Sequence, residues 1–134
     1  MKKSIIILIV LSCLLGACSN ADQSDDSIQI DMSKSWFRDF FVENEKVVIK
    51  CRIFIDNPTD NEVRVILIGS FQKDYEAGLL KEMRIVAVLE EKPVDIIIIV
   101  PPGGAVFNID FCGTYGGLFQ KQDRLLPEIE VITL

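Results

Sequence analysis

The sequence predicts an all-β domain, an antiparallel β-sandwich of about 7–8 short strands. Three observations predict it. Apolar residues recur at every second position in one segment after another, most clearly in Val47, Ile49, Cys51, Ile53 and Ile55, with Lys50, Arg52 and Asp56 pointing the other way. Dense turn formers separate the segments, as in Asp56-Asn57-Pro58-Thr59-Asp60-Asn61 and Pro101-Pro102-Gly103-Gly104. No stretch sustains helical spacing, so sheet on sheet is favoured over helices layered on a sheet.

The elements follow in chain order. Ile28, Ile30 and Met32 alternate with Gln29 and Asp31 as a half-buried strand, and Trp36 to Val42 makes a second, aromatic-rich one. Glu43-Asn44-Glu45 turns the chain into the Val47 to Ile55 strand. Val63 to Ser70 is apolar on both faces at Ile66-Leu67-Ile68, which predicts a central strand. Tyr75, Leu79, Leu80 and Met83 have helical spacing that Gly78 interrupts, so Gln72 to Glu82 reads as a helical turn or crossing loop. Met83 to Leu89 and Val94 to Val100 are further strands. The Ile96-Ile97-Ile98-Ile99 run is an aggregation hazard when exposed, and Lys92, Pro93, Asp95 and Pro101-Pro102 stand as gatekeepers around it. Ala105, Phe107, Ile109 and Phe111 alternate with Asn108 and Asp110; a Gly-rich loop, Gly113 to Arg124, leads to a last strand at Ile129 and Val131.

The region before this domain is of another kind. Lys2 and Lys3 precede an apolar run, Ile5 to Leu15. That run is too short for a bilayer-crossing helix, which needs roughly 20 residues, and it fits the hydrophobic region of a secretory signal. The stretch Leu15-Gly16-Ala17-Cys18 resembles the lipobox of bacterial lipoproteins. The resemblance implies diacylglyceryl attachment to the Cys18 thiol and cleavage before it, which divides the chain into a signal peptide (1–17), a tether (18–27) and a domain (28–134). Val10-Leu11-Ser12-Cys13 matches less well, because cleavage there leaves part of the apolar run on the mature chain. Ser19 to Ser27 is small, polar and acidic and buries no apolar surface, as expected of a flexible tether. Two acyl chains give a durable anchor where one gives only marginal binding. The expected location is therefore the extracytoplasmic face of the cell membrane.

Composition narrows the chemistry. The chain has 14 basic and 20 acidic residues; removing Lys2 and Lys3 leaves 12 − 20 = −8. That balance argues against nucleic acid and against an anionic lipid surface as partners of the domain. There is no histidine, hence neither the commonest general base nor the commonest transition-metal ligand. The expectation is a non-enzyme without cofactor or metal. Asp56, Asp60 and Glu62 surround a turn without the spacing of a calcium loop and read as solvated turn chemistry. Cys51 and Cys112 lie on strands expected to face each other across the sandwich, but their parity differs, which argues against a disulfide.

The domain, over Ile28 to Leu134, resembles the immunoglobulin-like sandwiches of small bacterial surface lipoproteins. The resemblance is carried by Ile55-Asp56-Asn57-Pro58-Thr59-Asp60 and by Pro101-Pro102-Gly103-Gly104 with Phe107 to Phe111. Trp36 precedes Cys51, and Asp110 stands where antibody-type domains have tyrosine, so no functional residue carries over. In the loop Gly113 to Phe119, Tyr115 and Phe119 are the candidate binding residues, offering stacking surface to a protein or a cell-wall glycan. The functional expectation is a membrane-anchored, non-catalytic binding or assembly module. The alternative is an inhibitor or protective protein that inserts this loop into a secreted or cell-wall hydrolase.

Overall fold

The computed structural model describes residues 27–119 and 123–134; the signal, Cys18 and nearly all of the tether lie outside them. Among the described residues seven strands and one short helix follow in the order β1 (Gln29–Glu43), β2 (Lys46–Asp56), β3 (Val63–Ser70), α1 (Gln72–Glu76), β4 (Arg84–Leu89), β5 (Ile98–Val100), β6 (Ala105–Thr114) and β7 (Glu128–Thr133). All pairings are antiparallel and form one continuous sheet of order β1-β2-β6-β4-β3-β5, with β7 on the other side of β3.

The sheet becomes a sandwich because β4 serves two layers. Its first half pairs with β3 (Arg84 opposite Ser70, Val86 opposite Ile68), and its second half pairs with β6 (Ala87 opposite Phe111, Leu89 opposite Ile109). Strands that change layers in this way make the corners of sandwiches. One layer is β1-β2-β6-β4; the other is β3 with β7 on one edge and β5 and β4 on the other.

Alternation decides what the layers bury. Val47, Ile49, Cys51, Ile53 and Ile55 on β2 meet Val65 and Leu67 on β3, Ile98 and Val100 on β5, and Ile109 and Phe111 on β6. Phe111 is fully buried, a burial that contributes about 2–3 kcal/mol. A Cβ at Gly69 would come within 2.7 Å of the Phe111 ring and of the Phe71 ring, so the layers close only over a residue without a side chain.

Several expectations change in detail. The two N-terminal strands are one, β1, bent by register shifts between Asp31 and Trp36 and between Phe37 and Asp39. Trp36 is half-exposed, whereas Phe37 and Phe40 pack against the core. The strand expected from Val94 shrinks to Ile98–Val100, because Pro93 and the turn closed by the Asp95 N–H on the Lys92 carbonyl prevent earlier pairing. Ile98 and Val100 are buried while Ile99 faces out. Cys51 and Cys112 are free, and they sit on neighbouring strands of one layer rather than across the sandwich. Their opposite faces follow from their parity in the register, Cys51 opposite Ile109 and Val48 opposite Cys112. Burial pushes the Cys51 thiol up to about 12, helped by nearby Asp110, so it is a packing residue.

The turns are specific as well. Asn44 and Glu45 both have positive φ (51° and 63°), giving the two-residue hairpin turn whose twist suits antiparallel strands. Asn57, fully buried, organises the next turn. Its amide N donates to the carbonyls of Asn61 (2.8 Å) and Val100 (3.1 Å), and its Oδ1 accepts from the N–H and Oγ1 of Thr59 (3.0 and 2.7 Å). The turn is thereby tied to β5. Replacing Asn57 by Ala should destabilise the domain by about 3 kcal/mol, measured by urea denaturation, because the change strands buried backbone groups as well as deleting bonds.

Candidate functional site

The two layers do not close equally on all sides. Where the end of β3, the start of β7 and the middle of β1 approach one another, a cleft of about 660 Å³ opens. Its apolar walls include Phe37, Ile49, Phe71 and Leu126; its polar lining includes Lys73, Asp74, Glu76, Asp123 and Arg124.

Local structure explains how the charged groups arrive there. Ser70 ends β3, and after Phe71 the helix α1 begins at Gln72 without a side-chain cap. One turn of helix carries Asp74 back toward the core, where the residue is 8% exposed. The Asp74 carbonyl accepts from the N–H groups of both Leu79 (3.0 Å) and Leu80 (3.2 Å), so the chain leaving α1 is held by the same residue. Arg124 approaches from the segment before β7. Its Nη1 and Nη2 donate to Asp74 Oδ2 (3.1 Å) and Oδ1 (3.0 Å), a two-pronged pair. Both side chains are about nine-tenths buried, at 10% and 11% exposure.

The guanidinium also lies over the Phe40 ring, 4.0 Å from its centroid. Phe40 in turn stacks on Phe119 at 5.7 Å with the planes 28° apart. A row of groups, Asp74, Arg124, Phe40 and Phe119, therefore runs from the buried end of α1 to the surface and joins four separate parts of the chain. Phe119 and Leu125 remain half-exposed and almost fully exposed, at 54% and 88%, and give the region an apolar rim.

The two candidate residues from the sequence separate here. Phe119 joins the row beside the cleft. Tyr115 is partly buried against the core; its N–H donates to the Glu45 carbonyl (2.9 Å) and it forms a bridge with Leu80. The segment between them is tied down: Gly116 N–H bonds Leu79 (2.7 Å), Leu118 N–H bonds Gly78 (3.2 Å), and Gly116 lies too close to the Gly78 carbonyl to admit a Cβ. Asp74 and Arg124, the centre of the region, were not singled out by the sequence. They are 50 residues apart, Asp74 in the stretch expected as a helical turn or crossing loop and Arg124 at the end of the Gly-rich loop.

Other charged groups lie elsewhere. On the outer face of the first layer, Arg38 pairs with Glu90 (2.8 Å), and Lys50 bridges Glu90 (3.4 Å) and Asp110 (3.1 Å). Desolvation pulls the Lys50 ammonium down, but Asp110 and Glu90 more than offset it and leave it above its ordinary value. At the end of β6, Glu82 accepts from the Thr114 hydroxyl (2.6 Å) and N–H (2.9 Å). Among the described residues no three His, Cys, Asp or Glu side chains are grouped to hold a metal ion; Asp56, Asp60 and Glu62 belong to the turn around Asn57.

No family model, curated protein or solved structure matches the chain.

Removing one partner of a buried ion pair is costly. Arg124→Ala should destabilise the domain by about 3 kcal/mol, and a double-mutant cycle with Asp74→Asn should show strong coupling in the denaturation midpoints. A second outcome concerns acid. The side-chain and backbone bonds from Thr114 hold the Glu82 carboxyl below its ordinary value of 4.5. A depressed carboxyl stabilises the fold above its unfolded value and loses that contribution as pH falls through the folded one. The melting-temperature gap between the natural protein and Glu82→Gln should therefore be present at pH 7 and close progressively below pH 4.5.

Proposed function

We propose that the protein is a membrane-anchored, extracytoplasmic binding or assembly module that works by contact rather than by catalysis. The observation that carries this reading is the cleft itself. It has an apolar floor and the exposed Leu125 in its lining, with Phe119 stacked on the Phe40 ring that Arg124 covers, while its most buried charges, Asp74 and Arg124, already engage each other. Such a surface suits the side chains of a partner. A general acid or base has to reach a substrate proton with a suitable protonation state, and this pair is committed to structure.

The anchor completes the reading. Lipid on Cys18, followed by the polar stretch Ser19 to Ser27, would hold the domain within reach of the membrane surface. Among the described residues no helix is long and apolar enough to cross a membrane. An inhibitor that works by inserting the Gly113 to Phe119 loop is less well supported, since Tyr115 and Gly116 are held against the domain.

Two measurements test the proposal. Cys18→Ser should move the protein from the membrane fraction to the soluble exported fraction, and unchanged fractionation removes the anchor. Leu125 is almost fully exposed, so Leu125→Asp should leave the melting temperature nearly unchanged. Cross-linking on the native membrane followed by capture should then lose the partners held by the natural protein. Retention of the same partners by Leu125→Asp excludes the cleft rim as the contact.

A further inference from the structure

The outer edge of β7 bears on the kind of partner. Among the described residues β7 pairs with β3 alone, in unbroken register from Val65 opposite Thr133 to Ser70 opposite Glu128. The Leu134 N–H donates to the Arg64 carbonyl (2.9 Å), which sets the phase of the ladder. In an antiparallel pair, residues exchange both bonds at alternate positions. The bonded pairs are therefore Arg64 with Leu134, Ile66 with Ile132, Ile68 with Glu130 and Ser70 with Glu128. It follows that Ile129, Val131 and Thr133 turn their N–H and C=O groups away from β3, toward the open edge.

Open edges are normally blunted by bulges, prolines or brevity. β1 carries two register shifts, and β5 is three residues long with Pro101 directly after it. β7 has six residues and a register without a shift. Its inward side chains, Ile129 and Val131, are only partly buried against the core. The cleft lined by Phe37, Phe71 and Leu126 begins at its first residue, Glu128. A strand laid along β7 would thus satisfy three outward-turned residues and bury every second side chain between the layers.

Charge selects the occupant. The outward face of β7 carries Glu128 and Glu130, and in the neighbouring cleft Glu76 and Asp123 outnumber Lys73. Arg84 is engaged by Glu130, and Arg124 by Asp74. The chain as a whole carries −6. A second copy paired edge to edge would gather two sets of these carboxylates on one face, which is unfavourable across strands. We propose that β7 accepts, as an added strand, an extended segment of another protein in which apolar residues alternate with Lys or Arg. The apolar residues enter the gap beside Ile129 and Val131; the basic ones meet Glu128 and Glu130. Main-chain bonds give such strand addition its affinity, and alternate side chains give it selectivity.

The inference rests on the contact-module reading and names the partner's chemistry. Its test uses the purified full chain in non-ionic detergent with three synthetic decapeptides: alternating Val-Lys, alternating Val-Glu, and Val-Lys N-methylated at every second residue. The Val-Lys peptide should bind at least about tenfold more tightly than either of the others, a difference of about 1.4 kcal/mol. Hydrogen exchange should slow over residues 128–133. Glu128→Lys should weaken Val-Lys binding and strengthen Val-Glu binding. Val131→Pro removes an N–H that β3 does not use, and should abolish binding while the far-ultraviolet spectrum is kept. Equal binding of the acidic peptide overturns the proposal, as does tolerance of N-methylation, protection at β1 instead of β7, or protection of β7 that grows with protein concentration alone. Because it uses purified protein and defined peptides, this experiment and the membrane capture fail independently of each other.

Discussion

The closest approach of the two layers, at Gly69 and Phe111, sets the geometry on which the rest of the molecule depends. Phe111 lies fully buried in one layer and Gly69 faces it from the other, with Phe71 meeting Phe111 edge-on at 5.2 Å between centroids. Interiors pack at the density of organic crystals, so a bulky ring needs an absent side chain opposite it. This contact lies beside the point where β4 passes from β3 to β6, since Gly69 pairs with Ile85 and Phe111 with Ala87. The corner of the sandwich and its tightest packing are one feature.

The same contact explains the open side. Phe71 leaves β3 to pack on Phe111, and the chain then turns through α1 instead of continuing as a strand. Space beyond the end of β3 is left to α1, the segment before β7 and the side of β1, which together line the cleft. Asp74 and Arg124 brace that space. Their pairing costs desolvation, which a two-pronged geometry and an aromatic face for the guanidinium help to offset. Stability and accessibility are divided between neighbours: the ion pair is buried, while Phe119 and Leu125 stand at the surface.

Much of the fold was legible because strand patterning has period two. Val47, Ile49, Cys51, Ile53 and Ile55 alternate in the sequence, and all five are buried. Ile66-Leu67-Ile68, apolar on both faces, predicted a central strand, and β3 has neighbours on both edges. Boundaries were less legible. Four isoleucines in a row suggest one strand from Val94, yet pairing begins only at Ile98, because apolarity does not say which backbone groups find partners. Trp36 opens the aromatic-rich stretch in the sequence, yet it stands half-exposed beside a register shift of β1, an irregularity that alternation cannot encode.

The candidate site divides along the same line. Phe119 could be picked out because an aromatic in a Gly-rich loop is conspicuous in the sequence itself; in the structure its ring stacks on Phe40. Asp74 and Arg124 carry no such mark. By itself the sequence determined the sandwich, most core positions, the parity that separates Cys51 from Cys112, and the lipobox-like stretch ending at Cys18, since these depend on local periodicity and composition. Only the tertiary structure decided the double role of β4, the pairing of Asp74 with Arg124 and the exposure of the β7 edge. Each of those requires segments far apart in the chain to meet, and that meeting is set by how the two layers pack, not by any residue's immediate neighbours.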